Sequence, residues 1–519
     1  MAVGADLRPA SIIEQYNPGS RHVASGAFGI VKRRFYVIET PSLGIIRYLC
    51  LHIKPFFQEK QATMKKIITL FSALVFSLAV AAQALEGSWT GKLNVMGNQL
   101  NIVFNIAKGD GGGLTCTLDS PDQGAKGIPA EITVTDGTKV KISVATLMAE
   151  YDGELADGTI KGNFSQGGMS FPLDLKPGRV ERRRPQAPTE PYPYATEEVT
   201  FTNEVDKATL CGTLAYPVDF GNMKKGSVPL VVMVTGSGLQ NRDEEVFDHK
   251  PFLVLADFLA RNGIASLRYD DRGVGCSTGN TADATTENYM KDALAAVNYA
   301  RSTGKFGPVG VLGHSEGGSV AFMLGARGKA DFIVSMAGPG LKGDSILVLQ
   351  NRIALLNAGV PQGMADAYCT ALARVLDGIE DGVALERPDS TVQAAVSLAG
   401  SQLPTKLADN LKGVIAQCTP WLKNLVSYDP SADIRSVKCP VMAVNGSKDA
   451  QVTAAENLAA IRSLLPADGQ NVVKEYPGLN HLFQHCTTGQ PLEYAQIEET
   501  MSPEVMQDIA AWIHKVVGQ

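Results

Sequence analysis

Five short apolar runs constrain this chain most: "PLVVMV" (229–234), "ASLRYD" (265–270), "VGVL" (309–312), "FIVSM" (332–336) and "VMAV" (441–444). Four of the five lack the polar alternation of a half-exposed strand. Strands buried on both faces read this way, and such strands build parallel sheets. Amphipathic segments lie between them. Phe252, Leu255 and Leu259 share one helical face, with Gly263 as a stop; Met290, Leu294 and Val297 share another, ending at Gly304. A last helix opens with Ser502-Pro503, an N-cap followed by proline at the first helical position, and turns Val505, Ile509 and Trp512 inward. From about Thr196 onward, alternating β and α elements predict an α/β fold, a doubly wound and mostly parallel sheet.

Two regions depart from this alternation. Residues 340–430 read as consecutive helices ("DSILVLQNRIALLNAG", "GMADAYCTALARVLDGIEDG", "STVQAAVSLAGSQL"), which would form a helical cap above the strand ends. Residues 85–178 read as antiparallel β. Leu100, Ile102, Phe104 and Ile106 alternate with their neighbours, as do Val140, Ile142 and Val144 with Lys139, Lys141 and Ser143. That periodicity, with glycine-rich turns, predicts a small all-β domain, a barrel or a sandwich. Between the two, "RVERRRPQAPTEPYPYA" (179–195) reads as an exposed, solvated linker of prolines and arginines.

A chain of 519 residues exceeds one compact core, in keeping with this division. The segment "MKKIITLFSALVFSLAVAAQA" from Met64 has a positive start, a short apolar stretch and small residues at the cleavage position. That is the pattern of a secretory signal peptide over 64–84, with an uncleaved anchor or a core helix as alternatives. Residues 1–63 show little periodicity, so translation is expected to start at Met64 and the upstream stretch to be a mis-called or disordered extension. The mature chain is then exported, periplasmic or secreted, with no stable membrane anchor. The net charge of −6 and the absence of a basic run weigh against nucleic acid as a partner. Seven cysteines follow the signal, in no zinc-ligand spacing. An exported compartment permits disulfides, and Cys369 with Cys418 is one candidate pair.

The chemistry concentrates at "VLGHSEGGSVA" (311–321). Gly313-His314-Ser315-Glu316-Gly317 matches G-x-S-x-G, with an apolar strand before it and a helix after it. A tight strand-to-helix turn needs small neighbours, and it presents the serine as a nucleophile. The alternative is a glycine-rich turn with a capping serine. A serine hydroxyl needs a base, and the order serine, acid, histidine is completed downstream. Asp449 follows an apolar strand in "CPVMAVNGSKDAQV", and His481 lies in "YPGLNHLFQ". His314 and His485 compete for the base role; His314 should point away from Ser315, and His485 reads as loop support. His481 and His485 lack the glutamate of a metalloprotease helix, so no metal is expected. An oxyanion hole needs backbone N–H donors. Glu316, after the nucleophile, offers one, and the "TGSGLQNRD" loop, with Gly236, Ser237 and Gly238, offers the other. "GVGCSTG" (273–279) opens no helix, so no cofactor is expected.

Taken together, "TGSGLQNRD", "RYDDRGVGCSTG", "GHSEGG", "NGSKDAQV" and "GLNHLF" resemble, in order, the alpha/beta-hydrolase superfamily in its serine esterase and serine-aminopeptidase-like branch, over 196–519. The resemblance implies Ser315 as nucleophile, Asp449 as acid and His481 as base. It implies that 268–277 borders the active site, near the loop of Cys486, which makes Cys276 and Cys486 a second candidate disulfide. Thr235 departs from the family, which commonly has His there, so the oxyanion loop must be braced differently. The implied activity is hydrolysis of carboxylic esters of small to medium acyl groups, with a small-molecule ester as partner. The alternative is a serine aminopeptidase or other amide hydrolase, for which Glu380 or Asp381 on the cap would hold the substrate amine. A non-catalytic protein is the third reading. Oligomeric state is not legible.

Overall fold

The computed structural model describes residues 85–95, 98–109, 112–180, 182–400 and 403–518. The expected signal segment and upstream extension lie outside the described residues. The chain forms two compact units that part after Val180, close to the expected end of the β module.

The first unit is an antiparallel meander: β1 (Gly87–Val95), β2 (Asn98–Lys108), β3 (Leu114–Ser120), β4 (Ala125–Thr135), β5 (Lys139–Val144), β6 (Ala149–Ala156), β7 (Thr159–Gln166), β8 (Met169–Pro172) and β9 (Lys176–Pro177). Its last stretch pairs on both sides. Ile160 and Leu175 exchange hydrogen bonds of 2.9 and 2.8 Å, and Trp89 and Thr90 pair with Pro177 and Lys176. The meander therefore closes into a barrel, and closure removes the exposed edges. Phe104, Ile106, Val140, Ile142, Tyr151 and Phe164 fill the interior, as the period-two reading requires. The buried Tyr151 hydroxyl lies 3.0 Å from the Leu173 carbonyl and 3.1 Å from that of Ile160.

The second unit is an eight-stranded sheet of order β10-β11-β13-β12-β14-β15-β16-β17. The strands are β10 (Thr196–Asn203), β11 (Ala208–Ala215), β12 (Leu230–Val234), β13 (Ala265–Tyr269), β14 (Val309–His314), β15 (Ile333–Met336), β16 (Val441–Gly446) and β17 (Val472–Tyr476). β13 through β17 run parallel, while β11 is antiparallel to both of its neighbours. Alternate residues of β12, β15 and β16 serve two cores. Leu230, Val232 and Val234 join one, and Val231 and Met233 the other. This is why those runs show no polar alternation. Helices α1 (Pro251–Arg261) and, at the C-terminus, Pro503–Val517 cover one face. α2 (Thr286–Ser302), α3 (Glu316–Ala326) and Ala454–Leu464 cover the other.

Between β15 and β16 the chain forms the expected helical cap. It comprises α4 (Gly343–Asn357), α5 (Gln362–Glu380), α6 (Val383–Glu386), α7 (Pro388–Leu398), α8 (Thr405–Ala416) and α9 (Pro420–Ser427). Tyr368, Leu372, Val375 and Leu376 of α5 centre a separate apolar core shared by these helices. α8 and α9 extend the cap beyond the three helical segments read from the sequence.

Two expectations are corrected. Cys276 is bonded to Cys211, with Cα atoms 5.9 Å apart, not to Cys486; Cys486, Cys369 and Cys418 are free thiols. The reason is sheet order. β11 lies beside β13, and the Cys211 N–H donates to Ser277 Oγ at 2.9 Å, so the loop after β13 folds back onto β11. The linker is not simply solvated either. Arg184 donates to the carbonyls of Phe247, Ala495 and Ile497 at 2.7, 3.2 and 2.9 Å.

The Cys211–Cys276 bridge closes a span of 65 residues. Its double serine variant should lose about 2–4 kcal/mol of stability, seen as a lower Tm. Peptide mapping without reductant should recover 211 linked to 276 and Cys486 alkylated. A recovered Cys276–Cys486 peptide would refute the assignment.

Candidate active site

Ser315 sits where β14 turns into α3, with φ 54° and ψ −120°. A non-glycine residue in this region is strained by about 1–3 kcal/mol and persists only when its surroundings fix it. Here the Ser315 N–H donates to the Met336 carbonyl at 2.8 Å. The turn is also too tight for side chains beside it. A Cβ on Gly313 would lie 1.8 Å from the Gly317 carbonyl oxygen, and one on Gly317 would lie 2.2 Å from that of Val234. His314 and Glu316 are buried, while the Ser315 side chain is half-buried.

His481 follows β17 on a loop, and Asp449 follows β16. His481 Nδ1 lies 2.7 Å from Asp449 Oδ2, with both side chains buried. The other Asp449 oxygen accepts the N–H groups of Gln451 and Val452 at 2.8 and 2.9 Å, which fixes the carboxylate plane. This acceptor assigns the proton to Nδ1 and leaves Nε2 basic. No hydrogen bond joins Ser315 Oγ to this ring among the described residues. Such contacts commonly tighten only with substrate bound.

His314 ties the two loops together. Its ring lies 4.7 Å from the His481 ring; Nε2 is 2.9 Å from the His481 carbonyl, and Nδ1 is 2.8 Å from Glu244 Oε1. The His481 carbonyl can only accept, so Nε2 carries hydrogen, and Nδ1 shares a hydrogen with the Glu244 carboxyl. Burial alone would lower its pKa, but the Glu244 carboxylate, the His481 carbonyl and Asp449 together raise it. His485 is mostly exposed and pairs with Glu499 at 2.9 Å, bracing the same loop from outside.

The "TGSGLQNRD" loop follows β12. Gly236 approaches Ser315 closely: a Cβ there would lie 3.0 Å from Ser315 Cβ. Its N–H, however, donates to Glu244 Oε1 at 3.0 Å. Gly236 is therefore corrected from donor to spacer. The N–H groups of Ser237 and Gly238 have no protein acceptor among the described residues. Glu316 is the first residue of α3, where the helix itself supplies none.

The brace that replaces histidine at position 235 comes from β13's loop. Thr235 Oγ1 donates to Asp271 at 2.9 Å, and Gln240 N–H donates to Asp271 Oδ2 at 2.8 Å. The Asp270 carboxylate accepts Arg242 N–H and guanidinium donors at 2.8, 3.2 and 2.7 Å. Burial, with Asp292 and Glu244 adding to it against the Gln240 and Thr235 hydrogen bonds, pushes the Asp271 carboxyl up to about 8. A cavity of about 10 Å³ lies between this brace and Glu316, space for a single water. The cap reaches the site through Trp421, whose Nε1–H donates to both Glu316 carboxylate oxygens at 3.1 Å, beside Thr286 at 2.6 Å.

Glu244, Asp271, Arg242 and Trp421 escaped the sequence reading. Glu244 and Arg242 stand within or just after the quoted oxyanion loop. Trp421 carried no local signal. Among the described residues, no three His, Cys, Asp or Glu side chains are grouped to hold a metal.

Residues 250–361 match the serine aminopeptidase, S33 family, a stretch holding Ser315 but neither Asp449 nor His481. Esterase EstD of Thermotoga maritima is 24% identical over 294 residues, covering 56% of this chain and 63% of that protein. The chain thus spans less than two thirds of that relative. A Pyrococcus furiosus esterase structure is similar over 66% of this chain and 100% of its own, with TM-score 0.38 and 16% identity. A proline iminopeptidase of Mycobacterium smegmatis is similar over 62% and 99%, with TM-score 0.37 and 17% identity.

Asp271 gives a pH prediction. Its folded pKa of about 8 lies above the ordinary carboxyl value of 3.8. Its stabilising contribution is therefore complete below about pH 4 and is lost as pH rises through 8. The Tm of the natural protein relative to Asp271→Asn should fall steadily across that window. A pH-independent difference would refute the shift.

Proposed function

Starting from an alpha/beta-hydrolase fold whose likeness runs to the serine esterase and serine-aminopeptidase-like branch, we propose that this chain is an exported serine hydrolase. It cleaves carboxylic esters of small to medium acyl groups through an acyl-enzyme on Ser315. The observation that carries this reading is the 2.7 Å contact between His481 and Asp449, on loops that converge on a strained Ser315.

His481 Nε2 takes the Ser315 proton as Oγ attacks the ester carbonyl. The N–H groups of Glu316 and of Ser237 or Gly238 receive the developing oxyanion. Loss of one such donor costs about 3 kcal/mol of barrier. As the tetrahedral intermediate collapses, the C–O bond to the alcohol breaks and His481 returns the proton to the leaving oxygen. Water then attacks the acyl-enzyme, giving its proton to His481, and Ser315 is regenerated with release of the acid. Asp449 holds the ring orientation and stabilises the transient imidazolium.

The ester reading gains support from the cap. Glu380 is paired with Lys342 at 2.6 Å, and Asp381 accepts the Val383 N–H at 2.9 Å. Glu380 is therefore engaged by a cation, and Asp381 is an exposed helix-end residue. Export is supported by the signal-like segment from Met64 and by the Cys211–Cys276 bridge, which suits an oxidising compartment.

Turnover should be measured on p-nitrophenyl esters of graded acyl length and on aminoacyl p-nitroanilides. Esters should turn over faster, and Ser315→Ala should lose at least about 10⁴-fold in kcat. Faster amide turnover would favour the aminopeptidase, and an active Ser315→Ala would remove the mechanism. Intact mass of the natural mature protein should begin near Leu85; retention of residues from 1–63 would refute signal cleavage.

A further inference from the structure

The segment that follows the barrel carries "RRRPQ" (182–186), which no part of the proposed mechanism uses. Its residues alternate in burial: Arg182, Arg184 and Gln186 are half-buried, while Arg183 and Pro185 are exposed. The chain is irregular over 182–184 and turns at Pro185-Gln186, where the Ala187 N–H donates to the Arg184 carbonyl at 3.0 Å. The inward residues are specific in what they hold.

Gln186 grips the backbone just before the C-terminal helix. Its Oε1 accepts the N–H groups of Thr500 and Met501 at 2.5 and 3.1 Å, and its Nε2 donates to the Met501 carbonyl at 2.7 Å. Arg184 holds the carbonyls of Ala495 and Ile497 together with that of Phe247. Phe247 and Asp248 are both strained, at φ 50° and 64°, and they lie on the segment that continues from the oxyanion loop. Arg182 adds an ion pair to Asp248 at 3.5 Å.

From residues 499–502 the contacts continue inward. Thr500 Oγ1 lies 2.9 Å from Nδ1 of the fully buried His249, whose Nε2 lies 3.0 Å from the Tyr494 carbonyl. The Gln484 amide lies 3.0 Å from the same ring and donates to the Glu499 carbonyl at 2.8 Å. Ser502 N–H donates to the Phe483 carbonyl at 2.8 Å. Gln484 and Asn480 then close the loop that bears His481: Asn480 donates to Gln484 Oε1 at 2.9 Å and accepts the N–H groups of Leu482 and Gln484. Every member of this chain is half-buried or buried, and its partners are directional.

We infer that residues 182–186 are a positioning element of the active site. Gln186 and Arg184 fix the 495–501 segment and, through Thr500, His249 and Gln484, the loop that presents His481. This rests on the proposed role of His481 as base. The connection after the barrel is thus a buttress for the base loop. Its removal displaces His481 relative to Ser315 without altering the substrate-contacting cap.

The test uses the full chain. Gln186→Met keeps side-chain length but removes both hydrogen-bonding functions; Gln186→Glu keeps the acceptor for Thr500 and Met501. Displacement by a fraction of an ångström to about 1 Å costs roughly 10- to 100-fold in rate. Gln186→Met should lower kcat on the best ester by that factor with KM changed less than about twofold. Labelling of Ser315 by a small fluorophosphonate should slow in parallel. Gln186→Glu keeps that acceptor but sets a carboxylate oxygen against the Met501 carbonyl, so it should recover only part of the loss. Thr500→Val, which cuts the same chain one step further in, should reproduce the defect without touching the linker. Thr189→Ala, on an exposed residue further along the same linker, should leave kcat unchanged. Unchanged kcat in Gln186→Met and Thr500→Val, with or without a lowered Tm, would overturn the inference while leaving the nucleophile assignment intact. An equal loss in Thr189→Ala would also overturn it. Undiminished turnover by Ser315→Ala would instead remove the reading on which it rests.

Discussion

The backbone of Ser315 carries the strain on which the site depends. A residue at φ 54° relaxes unless its neighbours forbid it, and here they do so from three sides. β15 takes its N–H through Met336, α3 starts within contact of β14 at Gly313 and Gly317, and the Val234 carbonyl closes the space behind. These contacts come from the centre of the sheet, where β12, β14 and β15 are adjacent and buried on both faces. Such close-packed elements transmit position rather than absorb it. The turn is rigid because the sheet is, and a rigid turn keeps the half-buried serine facing the other loops.

Charge is arranged around this turn so that each buried acid has donors. Glu244 accepts from Gly236 and from His314, and His314 donates onward to the His481 carbonyl. The Glu244–His314 pair therefore sets the loop after β12 and the loop of His481 against the same strand end. A buried pair of this kind adds little net stability, but removal of either partner strands a charge. Asp271 is the contrasting case, with polar donors and no ion pair among the described residues, and burial raises its carboxyl accordingly. The two acids do the work that sequence alone left unassigned when Thr235 replaced the expected histidine.

Much of the fold was legible because it rests on short-range patterns. Two-sided burial makes β12, β14, β15 and β16 continuous apolar runs, and period-two alternation marks the barrel strands. β10 and β11 were missed for a physical reason. β10 is an edge strand with Glu197 and Glu198 exposed, and it pairs only with β11. That omission hid Cys211 beside β13 and led to the wrong partner for Cys276. The residues now placed at the candidate site divide the same way. Ser315, Asp449 and His481 sit at element ends with recognisable neighbours. Glu244, Trp421 and Gln186 act through contacts 70, 105 and 315 residues apart in the chain, and no local periodicity encodes such separations.

The cap touches the site where its effect is least separable from chemistry. Trp421 donates to the side chain of Glu316, the residue whose backbone N–H heads α3 beside Ser315. Thr286 of α2 fixes the same carboxylate. A shift of α9 therefore pulls on the first turn of α3 as well as on the walls above the serine. Under the proposed mechanism, the acyl group that positions the cap also bears on an oxyanion donor. Preorganised donors act only at the geometry of the transition state, so a poorly fitting acyl chain would lose rate as well as binding. Selectivity for the acyl group would then appear in kcat more than in KM.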